Sequence, residues 1–415
     1  MPKLLEDVAR SRRPRAPRLI WLLGPALVAG VAYLDPGNVA SNMTAGAQYG
    51  YLLVWVVVVG NVMAWLIQYL SAKLGVVTGR SLPQVLGSRI RRRPARIAYW
   101  LQAELVAIAT DLAEVIGGAV ALNLLFGLPL LAGALVTGGV SMVLLAVHNR
   151  RGARGFEFVI IGLLLIIAIG FGVGVFIAPP DPALTAAGLV PRFEGTGSVL
   201  LAASILGATI MPHAIYAHSA LARDRFAPGE ARPSTPRLLR ATRWDVTVAM
   251  AIAGSVNLAI LLLAASVLPG VEGTDTLEGA HAAIAAGVGP VVATLFAIGL
   301  LASGLASTSV GAYAGAEIMA GLLHRRIPLL ARRLISLAPA VAIVAFGVDP
   351  TQALVLSQVV LSFGIPFALV PLVAVTAKSE VLGRFVNRRI TTAAGVIASV
   401  LLIALNGALL VLTFA

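Results

Sequence analysis

Cysteine is absent from this 415-residue chain, and charged residues are scarce. Without a thiol, the chain can form neither a disulfide bond nor a thiolate metal site. Asp, Glu, Lys and Arg together account for 12% of the residues, against about 25% in a typical soluble domain. Hydrophobic residues account for 59%. The composition therefore predicts a polytopic membrane protein and excludes a sizeable soluble domain.

The sequence also lacks the signatures of an enzyme. It contains no phosphate-binding nucleotide loop, and neither a Ser/His/Asp set nor a second metal centre stands out. We therefore expect no catalytic activity and no cofactor. A metal-sensing receptor is disfavoured as well, because no long soluble segment is present to relay a signal.

Long apolar runs fill most of the chain and predict an all-α fold. Eleven of them reach about 20 residues or more, the length that crosses a bilayer as a helix. We place these predicted transmembrane helices near residues 18–47, 51–77, 95–126, 129–148, 155–178, 198–222, 244–269, 289–322, 327–347, 351–376 and 390–414. Residues 1–17 are polar and are interpreted as a tail.

The basic residues indicate how the chain is threaded through the membrane. The net charge is +13, and Lys and Arg cluster before the first predicted helix and in every second connection, as with Arg150, Arg151 and Arg154 after the fourth helix. Because these residues favour the cytoplasmic side, we expect the tail 1–17 in the cytoplasm and the C-terminus outside the inner (plasma) membrane. The positive charge thus indicates topology and anionic lipid contacts rather than nucleic-acid binding.

Two of the predicted helices are interrupted near their middles. Residues 35–38 (Asp-Pro-Gly-Asn) break the first helix, and residues 211–213 (Met-Pro-His) break the sixth. Lipid cannot hydrogen-bond the freed backbone groups, so such breaks persist only where they line a cavity in the protein. Five helices is an odd number, so two repeats, 18–178 and 198–376, would cross in opposite senses, with 390–414 left peripheral. The pattern predicts a transporter whose substrate site lies between the two breaks.

The first break collects oxygen atoms that suit a cation. Asp35 is an acid in mid-membrane, where it costs about 2.5–3.5 kcal/mol unless a partner compensates its charge. Asn38 offers an amide oxygen three positions later, and the unwound turn exposes carbonyls such as that of Ala32. Together these donors form a hard, anionic cluster.

The second break adds a sulfur atom. A methionine in a membrane helix ordinarily serves packing, but Met211 stands next to the helix-breaking Pro212. Its thioether can bind first-row transition metals and contributes nothing to the binding of Mg²⁺ or Ca²⁺. The carbonyl of Ala208 has no helical hydrogen-bond partner, because Pro212 lacks an N–H group. It is therefore a further candidate metal ligand. These residues favour Mn²⁺ or Fe²⁺ as the substrate.

At these residues the chain resembles the Nramp family of proton-coupled divalent metal transporters. The resemblance covers almost the whole chain from about residue 18 and rests on DPGN at 35–38, GATIMPH at 207–213, QAELVAIATDLAE at 102–114, LLASGLASTS at 300–309 and LSQVVLSFGIPFALVPL at 356–372. It implies a leucine-transporter-like fold of eleven transmembrane helices, with an inverted 5+5 repeat and discontinuous first and sixth helices.

The resemblance also implies a set of metal ligands in this chain. They are Asp35, Asn38, Met211 and the Ala208 carbonyl, joined in some conformations by the Ala32 carbonyl and Gln358. Ala214 departs from the family pattern, since many relatives have Asn after Met-Pro-His. Asn is not a ligand there, so the departure concerns gating or helix pairing and leaves the metal assignment unchanged.

A proton pathway is predicted from acids on the third helix. Glu104, Asp111 and Glu114 are spaced so that they share roughly one helix face, and acids in mid-membrane mark ion or proton pathways. We interpret Asp35 as the proton acceptor and Asp111 with Glu114 as the exit relay. The alternative is a structural salt-bridge network.

Nearby cations and histidines complete this prediction. Arg332 and Arg333 on the ninth helix are the natural countercharges. The resemblance implies that Asp111 pairs with Arg333 and that Glu114 lies near His213. His213 is expected to tune the relay, because histidine titrates near neutral pH.

Other polar residues within the predicted helices have less specific roles. Asn257 and Gln358 would by default hold helices together, although Gln358 belongs to a family motif. His218 is expected to pack or to act in gating rather than to bind metal.

The sequence therefore predicts a monomeric secondary importer of Mn²⁺, and also of Fe²⁺, that is coupled to protons and works by alternating access. One alternative keeps the fold and changes the substrate to Mg²⁺ or an amino acid. Met211 disfavours Mg²⁺, and Asp35 would repel the carboxylate of an amino acid. A metal-permeable channel is the other alternative, although no filter-like motif is evident.

Overall fold

In a computed structural model of the chain, residues 24–227, 233–325 and 327–414 are described, and every regular element among them is a helix. The predicted tail 1–17 and the start of the first predicted helix lie outside these residues. Within α6, defined below, side chains are described except at 144–160. The all-α prediction is confirmed.

The α-helices are labelled here in chain order. They are α1 Pro25–Val31, α2 Pro36–Tyr49, α3 Val54–Thr78, α4 Leu82–Arg89, α5 Arg93–Phe126, α6 Leu130–Ile177, α7 Pro182–Ala187, α8 Gly195–Thr209, α9 Pro212–Arg225, α10 Thr235–Val267, α11 Leu277–Gly287, α12 Pro290–Leu323, α13 Leu329–Ala345, α14 Pro350–Thr376, α15 Ser379–Leu382 and α16 Arg389–Phe414.

Half of these helices contribute to spans that are long and apolar enough to cross a bilayer. Among the described residues, seven spans satisfy this criterion: α3, α5, α8 with α9, α10, α12, α14 and α16. The other four predicted transmembrane segments correspond to α1 with α2, to the two apolar ends of α6, and to α13. The chain is therefore a multi-pass membrane protein.

The connection predicted between the fourth and fifth segments is helical rather than a loop. Helix α6 continues for 48 residues through Arg150, Arg151 and Arg154. This stretch contains no proline, and arginine is a good helix former. Its two apolar ends, 130–143 and 161–177, correspond to the predicted fourth and fifth segments.

Both predicted helix breaks are present, and proline causes both. After α1 a 3₁₀ turn, Ala32–Leu34, leads to Asp35, which is extended (φ −66°, ψ 163°) and caps α2. After α8, Met211 (φ −56°, ψ 122°) precedes α9 in the same way. A residue before proline is pushed out of the helical region, and the proline then starts the next helix. Asp35 and Met211 thus occupy equivalent positions in the two broken pairs.

A buried carboxylate from α10 anchors the start of α1. Asp245 is 2% exposed, and its oxygens accept hydrogen bonds from the backbone N–H groups of Gly24 (3.0 Å) and Ala26 (2.9 Å). These N–H groups have no partner within the helix, and a carboxylate there also complements the helix dipole. Asp245 therefore fixes the first half-helix to α10.

Glycine permits the close approach of α3 to α9. A Cβ atom at Gly75 would lie 2.1 Å from the carbonyl oxygen of Ser219 and 3.1 Å from the backbone nitrogen of Arg223. Both of these are backbone atoms, which cannot rotate away. The two helices can therefore pack at this distance only with glycine at position 75.

We expect Gly75→Ala to lower the free energy of unfolding by about 1–3 kcal/mol, because the added methyl group forces α3 and α9 apart. The measurement is thermal or denaturant unfolding of the purified protein. Gly139→Ala is the matched control, since a Cβ atom there would meet nothing within 4 Å. Equal stability of the two variants would contradict the close packing described here.

Candidate metal site

Both helix breaks lie against the same residue of α14. A Cβ atom at Gly37, in the first break, would lie 1.8 Å from Nε2 of Gln358, and one at Gly207, just before the second break, would lie 2.0 Å from the carbonyl oxygen of Gln358. Helix α1 also contacts α9, and α2 contacts α8. The breaks therefore converge around Gln358 in the interior of the bundle.

Asp35 is wholly buried in this region and is held by hydrogen-bond donors. Its Oδ1 accepts from the backbone N–H of Asn38 at 2.7 Å, and its Oδ2 accepts from Nε2 of Gln358 at 3.0 Å. The first contact is a helix cap; the second links the break to α14. Both carboxylate oxygens thus contact residues, Asn38 and Gln358, whose side-chain amides also contain an oxygen atom able to bind a cation.

The carbonyl groups freed by the first break are satisfied by side chains. The carbonyl of Tyr33 accepts from Nδ2 of Asn38 at 2.5 Å and from Nδ2 of Asn257 at 3.0 Å. The carbonyl of Leu34 accepts from the hydroxyl of Ser303. The sequence analysis gave Asn257 no role more specific than holding helices together. In the structure Asn257 and Ser303 both support the unwound backbone, as a bilayer interior requires.

A second amide orients Asn38. Nδ2 of Asn42 donates to Oδ1 of Asn38 at 2.5 Å and to the carbonyl of Asn38 at 2.9 Å. Asn42 was missed by the sequence analysis, although its position four residues after Asn38 places it on the same helix face. With Nδ2 of Asn38 engaged by the Tyr33 carbonyl, the amide oxygen of Asn38 retains a free lone pair.

Two further carbonyls lie at corresponding positions in the broken helices. Ala32 precedes Pro36 by four residues, and Ala208 precedes Pro212 by four. Proline has no N–H group, so neither carbonyl has its usual helical donor. Met211 and Ala208 are both fully buried. The second break therefore provides a thioether and a carbonyl within the protein interior.

The candidate metal ligands at the two breaks include only one carboxylate, that of Asp35. Within the described parts of the chain, no group of three His, Cys, Asp or Glu side chains could hold a metal ion. Oε1 of Gln358 and Oδ1 of Asn257 are buried and have no protein partner. Amide, carbonyl and thioether groups would therefore complete the coordination of a cation bound by Asp35.

The acids predicted on the third segment surround two arginines of α13. Arg333 donates to Asp111, to Glu114 at 3.4 Å, to Ser141 at 3.1 Å and to Thr308 at 3.3 Å. Arg333, Asp111 and Glu114 are nearly fully buried, and one oxygen of Glu114 has no hydrogen-bond partner.

Arg332 pairs with the third acid, since its Nη2 donates to Glu104 at 2.8 Å. The three acids therefore do share a helix face, and both arginines lie against it. Ser141 and Thr308 were not foreseen, because hydroxyl groups that solvate a buried arginine carry no sequence signal of their own.

The two histidines of α9 contact different helices. Nδ1 of His213 lies 3.2 Å from Oγ1 of Thr110 on α5, and its Nε2 has no protein partner. Nδ1 of His218 lies 2.7 Å from Oε1 of Gln68 on α3. His213 thus faces the helix of the acids, and His218 is packed against α3.

The two ends of the bundle differ in their openness. A cavity of about 410 Å³ lies at the end where α2 stops and α14 begins. Its lining residues include Gln48, Asp275, Asp349 and Val355. Val355 is one turn of α14 before Gln358. The cavity therefore extends from the protein surface toward the converging breaks.

The opposite end, where α9 stops, is tightly packed. Oγ of Ser71 donates to the carbonyl of Ile215 at 2.6 Å, and Oγ of Ser219 accepts from the backbone N–H of Leu82 at 2.9 Å. Arg223 donates to both oxygens of Glu317 on α12, at 2.9 and 3.1 Å. This end is closed while the cavity is open at the other.

Comparison with known sequences identifies a family. The family described as natural resistance-associated macrophage protein-like, Nramp, matches residues 26–412. A divalent metal cation transporter MntH of Mycobacterium tuberculosis (strain ATCC 25618 / H37Rv) is 58% identical over 407 residues, which cover 98% of this chain and 95% of that protein. The MntH of Bacillus subtilis (strain 168) is 47% identical over 399 residues, 95% of this chain and 93% of that protein.

A solved structure agrees with this match. The crystal structure of the Eremococcus coleocola manganese transporter, in complex with an aromatic bis-isothiourea substituted compound, superposes with a TM-score of 0.82 at 32% identity. The match covers 94% of this chain and 85% of that chain. It confirms the leucine-transporter-like fold that the family resemblance implied. The chain belongs to the Nramp family.

Proposed function

We propose that this protein imports divalent transition-metal ions, Mn²⁺ and also Fe²⁺, by alternating access coupled to protons. The observation that carries the proposal is the buried carboxylate of Asp35, which caps a broken helix and contacts both Asn38 and Gln358. Relatives and a structural neighbour that share this architecture are named as divalent metal cation or manganese transporters. No enzymatic step is needed for this activity.

The ligands would be Asp35, Asn38, Met211 and the Ala208 carbonyl, with the Ala32 carbonyl and Gln358 joining in some states. In this structure Gln358 presents Nε2 to Asp35, while its Oε1 is unpartnered. Rotation of the amide would replace the donor by an acceptor. Gln358 can thus hold the carboxylate when no ion is bound and coordinate the ion when one arrives.

Met211 would give selectivity for transition metals. Its sulfur is a soft donor, which adds affinity for Mn²⁺ or Fe²⁺ and none for Mg²⁺ or Ca²⁺. Mg²⁺ is disfavoured as the substrate because the thioether adds nothing to its binding. An amino acid is disfavoured because Asp35 would repel its carboxylate. Both alternatives share the fold, so the side chains at the breaks decide between them.

Proton coupling follows from the single carboxylate. A metal ligand must be deprotonated, so binding of the cation releases any proton held by Asp35. The three acids Glu104, Asp111 and Glu114, with Arg332 and Arg333, would accept and conduct that proton, and His213 would tune its transfer. The membrane potential also favours uptake, by about 4.6 kcal/mol for a divalent ion at 100 mV, twice the value for one charge.

The open and closed ends set the direction of access. With the N-terminus in the cytoplasm and the C-terminus outside, the cavity beside Asp275 and Asp349 opens outward and the Arg223–Glu317 pair closes the cytoplasmic end. Import would require this pair to separate as α9 tilts. A monomer in the plasma membrane suffices for this mechanism, because every proposed ligand comes from one chain.

Met211→Ala should reduce discrimination against Mg²⁺ and Ca²⁺ by roughly tenfold, since the remaining oxygen donors suit hard cations equally well. The measurement is Mn²⁺ uptake into proteoliposomes with imposed pH and voltage gradients and excess competing cation. Met43→Ala, a buried methionine on α2, controls for lost packing. Unchanged discrimination in Met211→Ala would contradict a role of the sulfur.

Asp111→Asn should reduce metal-driven proton movement by about an order of magnitude or more and leave Mn²⁺ affinity nearly unchanged, because it interrupts the relay without touching the ligands. The two quantities are measured with a pH-sensitive dye inside the vesicles and by Mn²⁺ titration of the purified protein. An equal loss of proton flux and of affinity would show that Asp111 only supports the structure.

Glu317→Gln should open the cytoplasmic end, since it removes a charge-assisted partner of Arg223. The chain contains no cysteine, so Ala220→Cys gives a single reporter on the buried face of α9. We expect its rate of labelling by an impermeant maleimide, applied from the cytoplasmic side, to rise at least about fivefold. The exposed Glu380→Gln serves as control, and an unchanged rate in Glu317→Gln would contradict the closing role.

A further inference from the structure

A second cavity, of about 330 Å³, lies far from the metal ligands, between α3, α10 and the segment that enters α16. All of its lining residues except one threonine are aromatic, aliphatic or basic. The lining residues are Tyr69, Lys73, Leu239, Arg243, Phe385, Val386, Arg388 and Thr391. Three of them are cations, and none of the described lining residues is acidic. The cavity is at the same end of the bundle as the closed contact between α3 and α9.

Lys73 brings a buried charge to this cavity. The residue is 7% exposed, and its ammonium donates to Oδ1 of Asn387 at 2.8 Å. Nδ2 of Asn387 is engaged in turn by Oγ1 of Thr376 at 2.8 Å. Among the described residues, the ion pairs do not include Lys73. A buried charge ordinarily has an opposite charge as partner, so a neutral amide leaves this cation incompletely compensated.

Arg243 is held at the cavity by aromatic rings. Its guanidinium lies 5.3 Å from the ring centroid of Tyr69, and Tyr69 stacks on Trp65 with centroids 6.4 Å apart and an interplanar angle of 13°. Nε1 of Trp65 donates to Thr247 at 2.9 Å, which fixes the stack to α10. A cation–π contact orients an arginine without neutralising it. The positive charge of Arg243 therefore remains available to attract an anion.

The start of α16 forms another wall. Thr391 lies in the first turn of this 26-residue helix, and Arg388 immediately precedes it. The N–H groups of a first helical turn have no partner within the helix, and the helix dipole attracts negative charge there. Three cations and a helix N-terminus thus line one cavity from three separate elements, and an anion bound there would offset their mutual repulsion.

We propose that this cavity binds the phosphate group of an anionic ligand. Two sources have this chemistry: the headgroup of an anionic lipid such as phosphatidylglycerol, and a soluble phosphate. Basic pockets between helices at the cytoplasmic face are typical sites for anionic headgroups. A bound phosphate would connect α3, α10 and α16, and α3 is the helix against which α9 closes at Gly75 and Ser219.

The test compares the two phosphate sources on the purified full-length protein. Native mass spectrometry and thermal melting are recorded with phosphatidylglycerol, with phosphatidylcholine as the neutral lipid, and with inorganic phosphate. We expect one phosphate-bearing ligand to bind and to raise the melting temperature. Arg243→Gln and Arg388→Gln, both at exposed residues, should each weaken its apparent affinity roughly tenfold, the effect of one charge-assisted contact.

Arg93→Gln is the matched control, because Arg93 is an exposed basic residue outside the cavity. Binding of phosphatidylglycerol without competition from inorganic phosphate supports a lipid headgroup, and saturable binding of inorganic phosphate supports a soluble ligand. Binding of neither phosphate source would overturn the proposal. An equal loss of affinity in Arg93→Gln and in the two cavity variants would also overturn it, because the ligand would then be attracted by the whole basic surface and not by this cavity.

Discussion

The missing N–H group of two prolines is the constraint on which this structure depends. Pro36 and Pro212 each interrupt a transmembrane helix, and each leaves carbonyl groups that lipid cannot satisfy. At the first break, side chains from other helices donate hydrogen bonds to the freed carbonyls, as Asn257 of α10 and Ser303 of α12 do. The breaks must therefore lie at the centre of the bundle, and the residues before the prolines, Asp35 and Met211, are carried there with them.

The arrangement around Asp35 couples this backbone constraint to ion binding. A lone buried carboxylate is expensive in a membrane, and here Asn38 and Gln358 stabilise it through N–H groups. The same two side chains hold amide oxygens that suit a cation. A protein cavity prepared in this way can exist without an ion and accept one by small rotations of side chains, and in the proposed mechanism the larger changes occur at the closed end, at Arg223 and Glu317.

Much of this fold can be predicted from the sequence, because hydropathy and proline act locally. Apolar runs predict the positions of the segments, and prolines predict the two breaks. Residue spacing predicts the helix face shared by Glu104, Asp111 and Glu114. The contacts that support the site cannot be predicted in this way. Asn42, Thr110 and Gln68 have no distinctive pattern, since any polar residue can contact a partner that tertiary packing brings near it.

The sequence analysis made no prediction about the conformation of the connection at Arg150, Arg151 and Arg154, which is helical in the structure. A basic stretch indicates the side of the membrane, but it says nothing about whether the backbone unwinds. Arginine has good helix propensity, and no proline or paired turn residue interrupts the stretch. Local backbone chemistry, and not charge, therefore decided the secondary structure of this stretch.

The central claim is that one ion contacts both breaks, through the carboxylate of Asp35 and the sulfur of Met211. X-ray absorption at the manganese edge of the Mn²⁺-loaded wild-type protein tests it most directly, because sulfur and oxygen scatter differently in the first coordination shell. The account predicts one sulfur neighbour among oxygen neighbours. A shell made only of oxygen, at full occupancy of the site, would contradict it.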